Sequence, residues 1–186
     1  VGITGASGVI YGIRLLEVLR GVPDVETQVV MSGAARRTIP LETDWALDDV
    51  ETLADARYGF GDIAASVASG SFHTAGMIVA PCSMKTLSGV ATGYSDNLLL
   101  RAADVILKER RRLVLVVRET PLHLGHLRAM TAVTEMGGVV MPPVPAFYHR
   151  PTSIEAIVDQ TVNRALDLVG IEIEDDLFER WSGPSA

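Results

Sequence analysis

Gly2-Ile3-Thr4-Gly5-Ala6-Ser7-Gly8 is the stretch on which the fold turns. The apolar residues 1–4 read as the end of a buried strand, and they give way at once to a turn with no bulky side chain. Ile10, Ile13, Leu16, Glu17, Leu19 and Arg20 then recur with helical spacing and leave one apolar face. Strand, tight turn and helix form the opening unit.

The same unit repeats outward from it. Residues 27–31 make a second strand, and after the Gly-rich stretch 70–76 residues 77–80 make another that ends at Pro81. A helix over about 98–111, a strand over 113–117, a helix near 122–136, a strand over 139–141 and a last helix over 154–169 complete the series. Short, nearly continuous apolar strands between amphipathic helices predict an α/β fold. It is a Rossmann-like three-layer sandwich with a mostly parallel sheet, and ligands are expected at the carboxyl ends of the strands. Residues 45–61 are acidic with weaker periodicity, and no repeat or long linker interrupts the chain, so a single domain over 1–186 is expected.

Composition narrows the function. With 186 residues, 48% of them hydrophobic, the chain has material for one buried core. Its longest apolar runs, 77–82 and 113–117, fall far short of the roughly 20 residues of a membrane-spanning helix. A formal charge of −7 argues against a nucleic-acid partner, which needs a broad basic surface. The lone Cys82 excludes an internal disulfide and, with no targeting peptide visible, leads to the expectation of a cytoplasmic protein.

Polar groups gather at the predicted strand ends. The turn at Gly5-Ala6-Ser7-Gly8 offers unpaired N–H groups at a helix start, where an anion is welcome, although such a turn is equally a structural device. Ser32 follows the second strand, Ser83-Met84-Lys85-Thr86 opens a helix after the third, and Arg118 follows the strand at 113–117. Together Ser7, Ser32, Ser83 and Arg118 suit a phosphorylated planar ligand laid across the sheet edge. Cys82, beside Pro81, reads as core, and His123 and His126 as surface neighbours on a helix. The four histidines show no zinc spacing, and no metal is expected.

Taken together, several stretches resemble the flavin prenyltransferase family from Gly2 to about Ile171. They are Thr4-Gly5-Ala6-Ser7-Gly8 with Tyr11-Gly12, Glu42-Thr43-Asp44, Ala68-Ser69-Gly70-Ser71-Phe72, Ala80-Pro81-Cys82-Ser83-Met84-Lys85-Thr86, and Asp96-Asn97-Leu98-Leu99 with Arg101-Ala102-Ala103-Asp104. Leu107-Lys108-Glu109-Arg110, Arg118-Glu119-Thr120-Pro121 and Phe147-Tyr148-His149 complete the set. The resemblance implies a flavoprotein fold in which Gly5, Ala6, Ser7, Ser32, Ser83, Met84, Lys85, Thr86 and Arg118 hold FMN. It places Arg101, Lys108, Glu119, Tyr148 and Arg164 around dimethylallyl phosphate, and makes Ser7, Glu42, Glu119 and Tyr148 the catalytic candidates. It further implies prenyl transfer to N5 and C6 of reduced FMN, a homododecamer, and delivery of the prenylated FMN to a UbiD-like decarboxylase.

Blander readings stand beside these. Glu42-Thr43-Asp44 also suits the cap of a helix starting near Trp45, and Glu119 also suits an ion pair with Arg118. Lys108 lies two helical turns after Arg101, so both project from one face, whereas Glu109, Arg110, Arg111 and Arg112 read as solvated surface. The alternatives for the whole chain are an FMN-dependent cysteine decarboxylase-like flavoprotein and a non-catalytic flavin carrier. Residues 172–186 either cover the site or fray, and Trp181 favours docking.

Overall fold

Strands that are apolar on both faces need a helical layer on each side. The computed structural model, which describes residues 1–183, supplies both. Strands β1 (Gly2–Ile3), β2 (Gln28–Met31), β3 (Ala56–Tyr58), β4 (Gly76–Cys82), β5 (Arg112–Val117) and β6 (Val139–Val140) form one sheet in the order β3-β2-β1-β4-β5-β6. Every neighbouring pair is parallel, so the sheet is fully rather than mostly parallel.

Alternation along the central strands assigns the layers. Met77, Val79, Leu113 and Leu115 face a core with α4 (Met84–Thr92), α5 (Leu98–Lys108) and α6 (Leu124–Glu135). Ile78, Ala80, Val114 and Val116 face the opposite core, built on α1 (Ile10–Arg20) and α7 (Ile154–Val169). On that same side α2 (Gly33–Glu42) and α3 (Leu47–Glu51) cover Ile3, Val29 and Met31. The helices begin and end on local signals: Asn97 and Ser153 cap α5 and α7 through Leu100 and Ala156, and glycines with φ of 67° and 77°, Gly93 and Gly170, stop α4 and α7. Gly12 lets α1 press onto the sheet, since a Cβ there would stand 2.2 Å from the Ala80 carbonyl oxygen.

Four elements depart from the sequence reading. β4 runs through Pro81 to Cys82, and its register against β5 slips between Val79 and Cys82, where a missing N–H breaks no regular ladder. α5 stops at Lys108 because Arg110 adopts a φ of 57°. α2 and β3 were not expected at all. Pro40 sits inside α2, and β3 is a three-residue edge strand with half-buried flanks.

One side chain ties the centre of the sheet together. The buried Thr4 hydroxyl donates to the Pro81 carbonyl at 2.7 Å and accepts from the Ser83 N–H at 2.8 Å, while the Thr4 N–H donates to the same carbonyl at 3.2 Å. Thr4→Val keeps the shape and removes the hydroxyl. It leaves the Ser83 N–H unpaired at a cost of about 1–3 kcal/mol, so the thermal midpoint should fall by several degrees. An unchanged midpoint in a melting experiment would show that the clamp is dispensable.

Candidate active site

The chain leaves β1 outward through β2 to β3, then returns to β4 on the other side of β1. The loops after β1 and β4 therefore diverge to opposite layers and open a crevice at the carboxyl edge, the usual ligand seat of such sheets. Helices α1, α2 and α4 all start there. Ser32 caps α2 through Ala35 N–H at 3.0 Å, and Ser83 caps α4 through Thr86 N–H at 3.4 Å with the Thr86 hydroxyl 3.2 Å away. Met84 and Lys85 lie in the first turn of α4, Lys85 exposed. Gly5 lets the first turn lie flat on α2, because a Cβ there would meet the Ala34 Cβ at 2.2 Å. The result is a floor of small residues ringed by helix N-termini, which fits the phosphate and planar ring of FMN. A cavity of about 360 Å³ opens at the opposite, amino end, lined by Val1, Gln28, Gly76 and Ile106 among others. Its lining includes none of the residues that open α1, α2 or α4, so those N-termini serve the carboxyl edge.

Glu42 reaches this edge from the last turn of α2. Its Oε2 accepts from Gly8 N–H at 2.8 Å and from Val9 N–H at 3.3 Å. It does not cap α3, which has Ala46 at its start and no side-chain cap; the N–H groups it takes belong to the turn that leads into α1. Desolvation would push the Glu42 pKa up. The Ser7 hydroxyl, the two backbone N–H groups and the Arg118 charge outweigh it and hold the carboxyl below the usual glutamate range. Ser7, Glu42 and Arg118 are thus one electrostatic unit, with Arg118 anchored by its N–H to the Cys82 carbonyl at 3.1 Å.

The remaining cationic residues occupy both layers. Arg101 reaches the Ala68 carbonyl at 3.1 Å and Asp104 at 2.8 Å, while Lys108 pairs with Glu109 above Gly70, so both face residues 68–70 as their spacing required. Arg111 is not solvated surface. Half-buried, it donates to the Phe72 carbonyl at 2.7 Å and the Gly70 carbonyl at 2.8 Å and straps that loop to the end of α5. Arg164, on α7, donates to Asp167 at 2.6 Å. Glu119 accepts from its neighbour Thr120 N–H at 3.0 Å and, among the described residues, makes no ion pair with Arg118. Tyr148 is 46% exposed, with Trp181 edge-on at 5.9 Å.

Cys82 is fully buried, and desolvation drives its thiol pKa far up, so it is inert core. His123 is the N-cap of α6, accepting from Gly125 N–H at 3.0 Å, and its ring lies against that of His126 at 3.5 Å. Among the described residues no three His, Cys, Asp or Glu side chains gather as a metal site, and no helix is long and apolar enough to cross a membrane. The last three residues of the expected tail, 184–186, lie outside the described residues.

Residues 1–166 match the model of the family described as Flavoprotein. The flavin prenyltransferase UbiX of Escherichia coli strain K12 is 63% identical over 183 residues, covering 98% of this chain and 97% of that one. This chain belongs to the flavin prenyltransferases. Two solved members superpose closely. A dodecameric FMN-dependent Ubix-like decarboxylase from Escherichia coli O157:H7 has a TM-score of 0.94 at 51% identity, covering 98% of this chain and 97% of that one. AnUbiX (PadA1), in complex with FMN and dimethylallyl pyrophosphate, has a TM-score of 0.93 at 52% identity, covering 99% and 96%. The FMN-dependent cysteine decarboxylase TvaF, at 16% identity and a TM-score of 0.58 over 87% of this chain and 94% of that one, shares the fold alone.

Within one flavin prenyltransferase chain the two expected groups of residues fare differently. The flavin set converges at the carboxyl edge. The donor set divides, because α5 with Arg101 and Lys108 packs on one face of the sheet and α7 with Arg164 on the other. Sequence reasoning passed over two structural residues: Thr4, which ties the site's floor, and Arg111, which straps the 70–74 loop at the amino end. A threonine between two glycine-rich neighbours carries no pattern of its own, and an arginine in a basic run looks solvated.

The depressed pKa of Glu42 links folding to pH. Its folded value lies below the unfolded one, so its stabilisation is whole above the usual glutamate range and is lost as pH falls through the lowered folded value. Acidification through that window should lower the thermal midpoint of wild type more than that of Glu42→Gln. Parallel pH profiles would show that the carboxylate is not coupled to the α1 turn.

Proposed function

We propose that this protein transfers the dimethylallyl group of dimethylallyl phosphate to reduced FMN and delivers the prenylated FMN to a UbiD-like decarboxylase. The observation that carries the proposal is Glu42, hydrogen-bonded to the Gly8 N–H with Ser7 and Arg118 lowering its pKa, at a floor of small residues in a chain 63% identical to a flavin prenyltransferase. Gly5, Ala6, Ser7, Ser32, Ser83, Met84, Lys85, Thr86 and Arg118 would hold FMN. Reduced FMN would be the acceptor: bonding of the allylic carbon to N5 would release phosphate and the N5 proton, and ring closure at C6 would need one proton delivered to the prenyl alkene and one taken from C6.

The chain's own residues would manage charge and protons around that event. Arg101, Lys108, Arg164 and the Tyr148 hydroxyl would bind the phosphate and stabilise the charge it gathers on leaving, an effect strongest where water is excluded. Glu42, already ionised, is suited to receive a proton, with the Ser7 hydroxyl as its neighbour. Glu119, exposed next to Arg118, would serve as a second proton carrier near the phosphate. Since the donor-side residues lie on two layers of one chain, a complete phosphate site would form where subunits meet, consistent with a homododecamer and with the dodecameric relative. A single domain and a cytoplasmic setting belong to the same reading; the lone buried cysteine supports the second.

Anaerobic incubation with reduced FMN and dimethylallyl phosphate should give a flavin with a prenyl mass increment in mass spectrometry. Unmodified FMN with both the monophosphate and the diphosphate donor would refute the assignment. Tyr148→Phe and Lys108→Ala should each slow transfer by roughly 10- to 100-fold while leaving FMN affinity within about twofold. Equal loss of transfer and FMN binding would break the division between flavin and donor residues.

A further inference from the structure

The segment after α7 folds back onto that helix and onto Tyr148. Leu177 N–H donates to Asn163 Oδ1 at 2.7 Å. Arg180 then takes both oxygens of Asp167, Nη1 to Oδ2 at 2.8 Å and Nη2 to Oδ1 at 2.9 Å, and also reaches Asp176. Asp167 Oδ2 is the same atom that accepts from Arg164 at 2.6 Å. Beside this triad the rings of Phe178 and Trp181 stand edge-on to Tyr148 at 6.5 Å and 5.9 Å, and Phe178 to His149 at 5.7 Å. Both His149 ring nitrogens are buried without a hydrogen-bond partner, so packing alone sets that ring. The tail therefore touches both residues through which this face would hold the prenyl donor, Tyr148 directly and Arg164 through a shared carboxylate.

A carboxylate held bidentately by one guanidinium has less attraction left for a second. Without Arg180, Asp167 would hold Arg164 as an undivided i,i+3 pair, and a phosphate would have to pull the guanidinium away. We propose that Arg180 is a positioning residue for the prenyl donor: it occupies Asp167 and so leaves Arg164 free to turn to the donor's phosphate. This rests on the reading of Arg164 as a phosphate ligand. A purely structural tail would also need Arg180, but it would gain nothing from neutralising Asp167, and that difference makes the idea testable.

The test is calorimetric binding of dimethylallyl phosphate to protein loaded with oxidised FMN, which lacks the electron pair for transfer, so that affinity is read without turnover. Arg180→Ala should weaken donor binding by roughly two- to fivefold with FMN affinity within about twofold of wild type. The double variant Arg180→Ala/Asp167→Asn should recover most of the lost donor affinity, because the competing charge has gone. Unchanged donor affinity in Arg180→Ala overturns the proposal, and so does a loss that Asp167→Asn fails to repair. A wild type that binds donor but forms no prenylated flavin in the anaerobic assay refutes the transfer reaction while the binding series still decides the role of Arg180. A wild type that binds no donor overturns both.

Discussion

The Thr4 hydroxyl, lodged between the Pro81 carbonyl and the Ser83 N–H, is the constraint from which the site follows. It fastens the carboxyl end of β1 to the carboxyl end of β4, the two strands whose following helices go to opposite layers. Two chain segments diverging from a common point leave a crevice, but the crevice has a fixed width only if the point of divergence is fixed. Buried and with both its donor and acceptor capacity used, the threonine does this without exposing an unpaired polar group. Gly5 follows the clamp directly and Ser83 is part of it, so the small-residue floor and the cap of α4 inherit its precision.

Electrostatics at the edge follow a second pattern. Three of the cations assigned to the donor already have an acidic neighbour on the chain: Arg101 with Asp104, Lys108 with Glu109, and Arg164 with Asp167. Such exposed pairs are worth about 0–1 kcal/mol each, so a phosphate dianion displaces them at small cost. The pairing keeps an acidic protein of net charge −7 free of a bare basic patch that would collect any polyanion. On the proposed reading, selectivity would rest on shape and on the number of cations converging at once, which would require both layers of the sheet to contribute.

Much of this was legible in the sequence because the central strands are buried on both faces and show it as unbroken apolar runs, as at Met77–Val79 and Leu113–Val117. The edges were less legible. β3 has three residues and one exposed side chain, too short for any period, and α2 is hidden by Pro40, which has no N–H to give a helix and so reads as a breaker. Glu42 illustrates a different limit. Its residue type announced a cap, but sequence proximity pointed to the next helix, whereas the fold delivers it to the turn leading into α1, 34 residues earlier. Likewise Arg111 and Arg180 sit in charged surroundings that read as solvent-facing until the loop at 70–72 and Asp167 are brought to them.

The carboxylate on the first turn has a last consequence. This sheet has the strand order of proteins that bind dinucleotides, in which a pyrophosphate rests on the first helix's N-terminus. Here Glu42 supplies that helix with an internal counter-ion, so the seat is filled by the protein itself and a pyrophosphate bridge arriving there would meet a like charge. A pyrophosphate bridge of the NAD type would have to compete with Glu42 for the N–H groups of that turn, whereas a mononucleotide need bring no second phosphate to it.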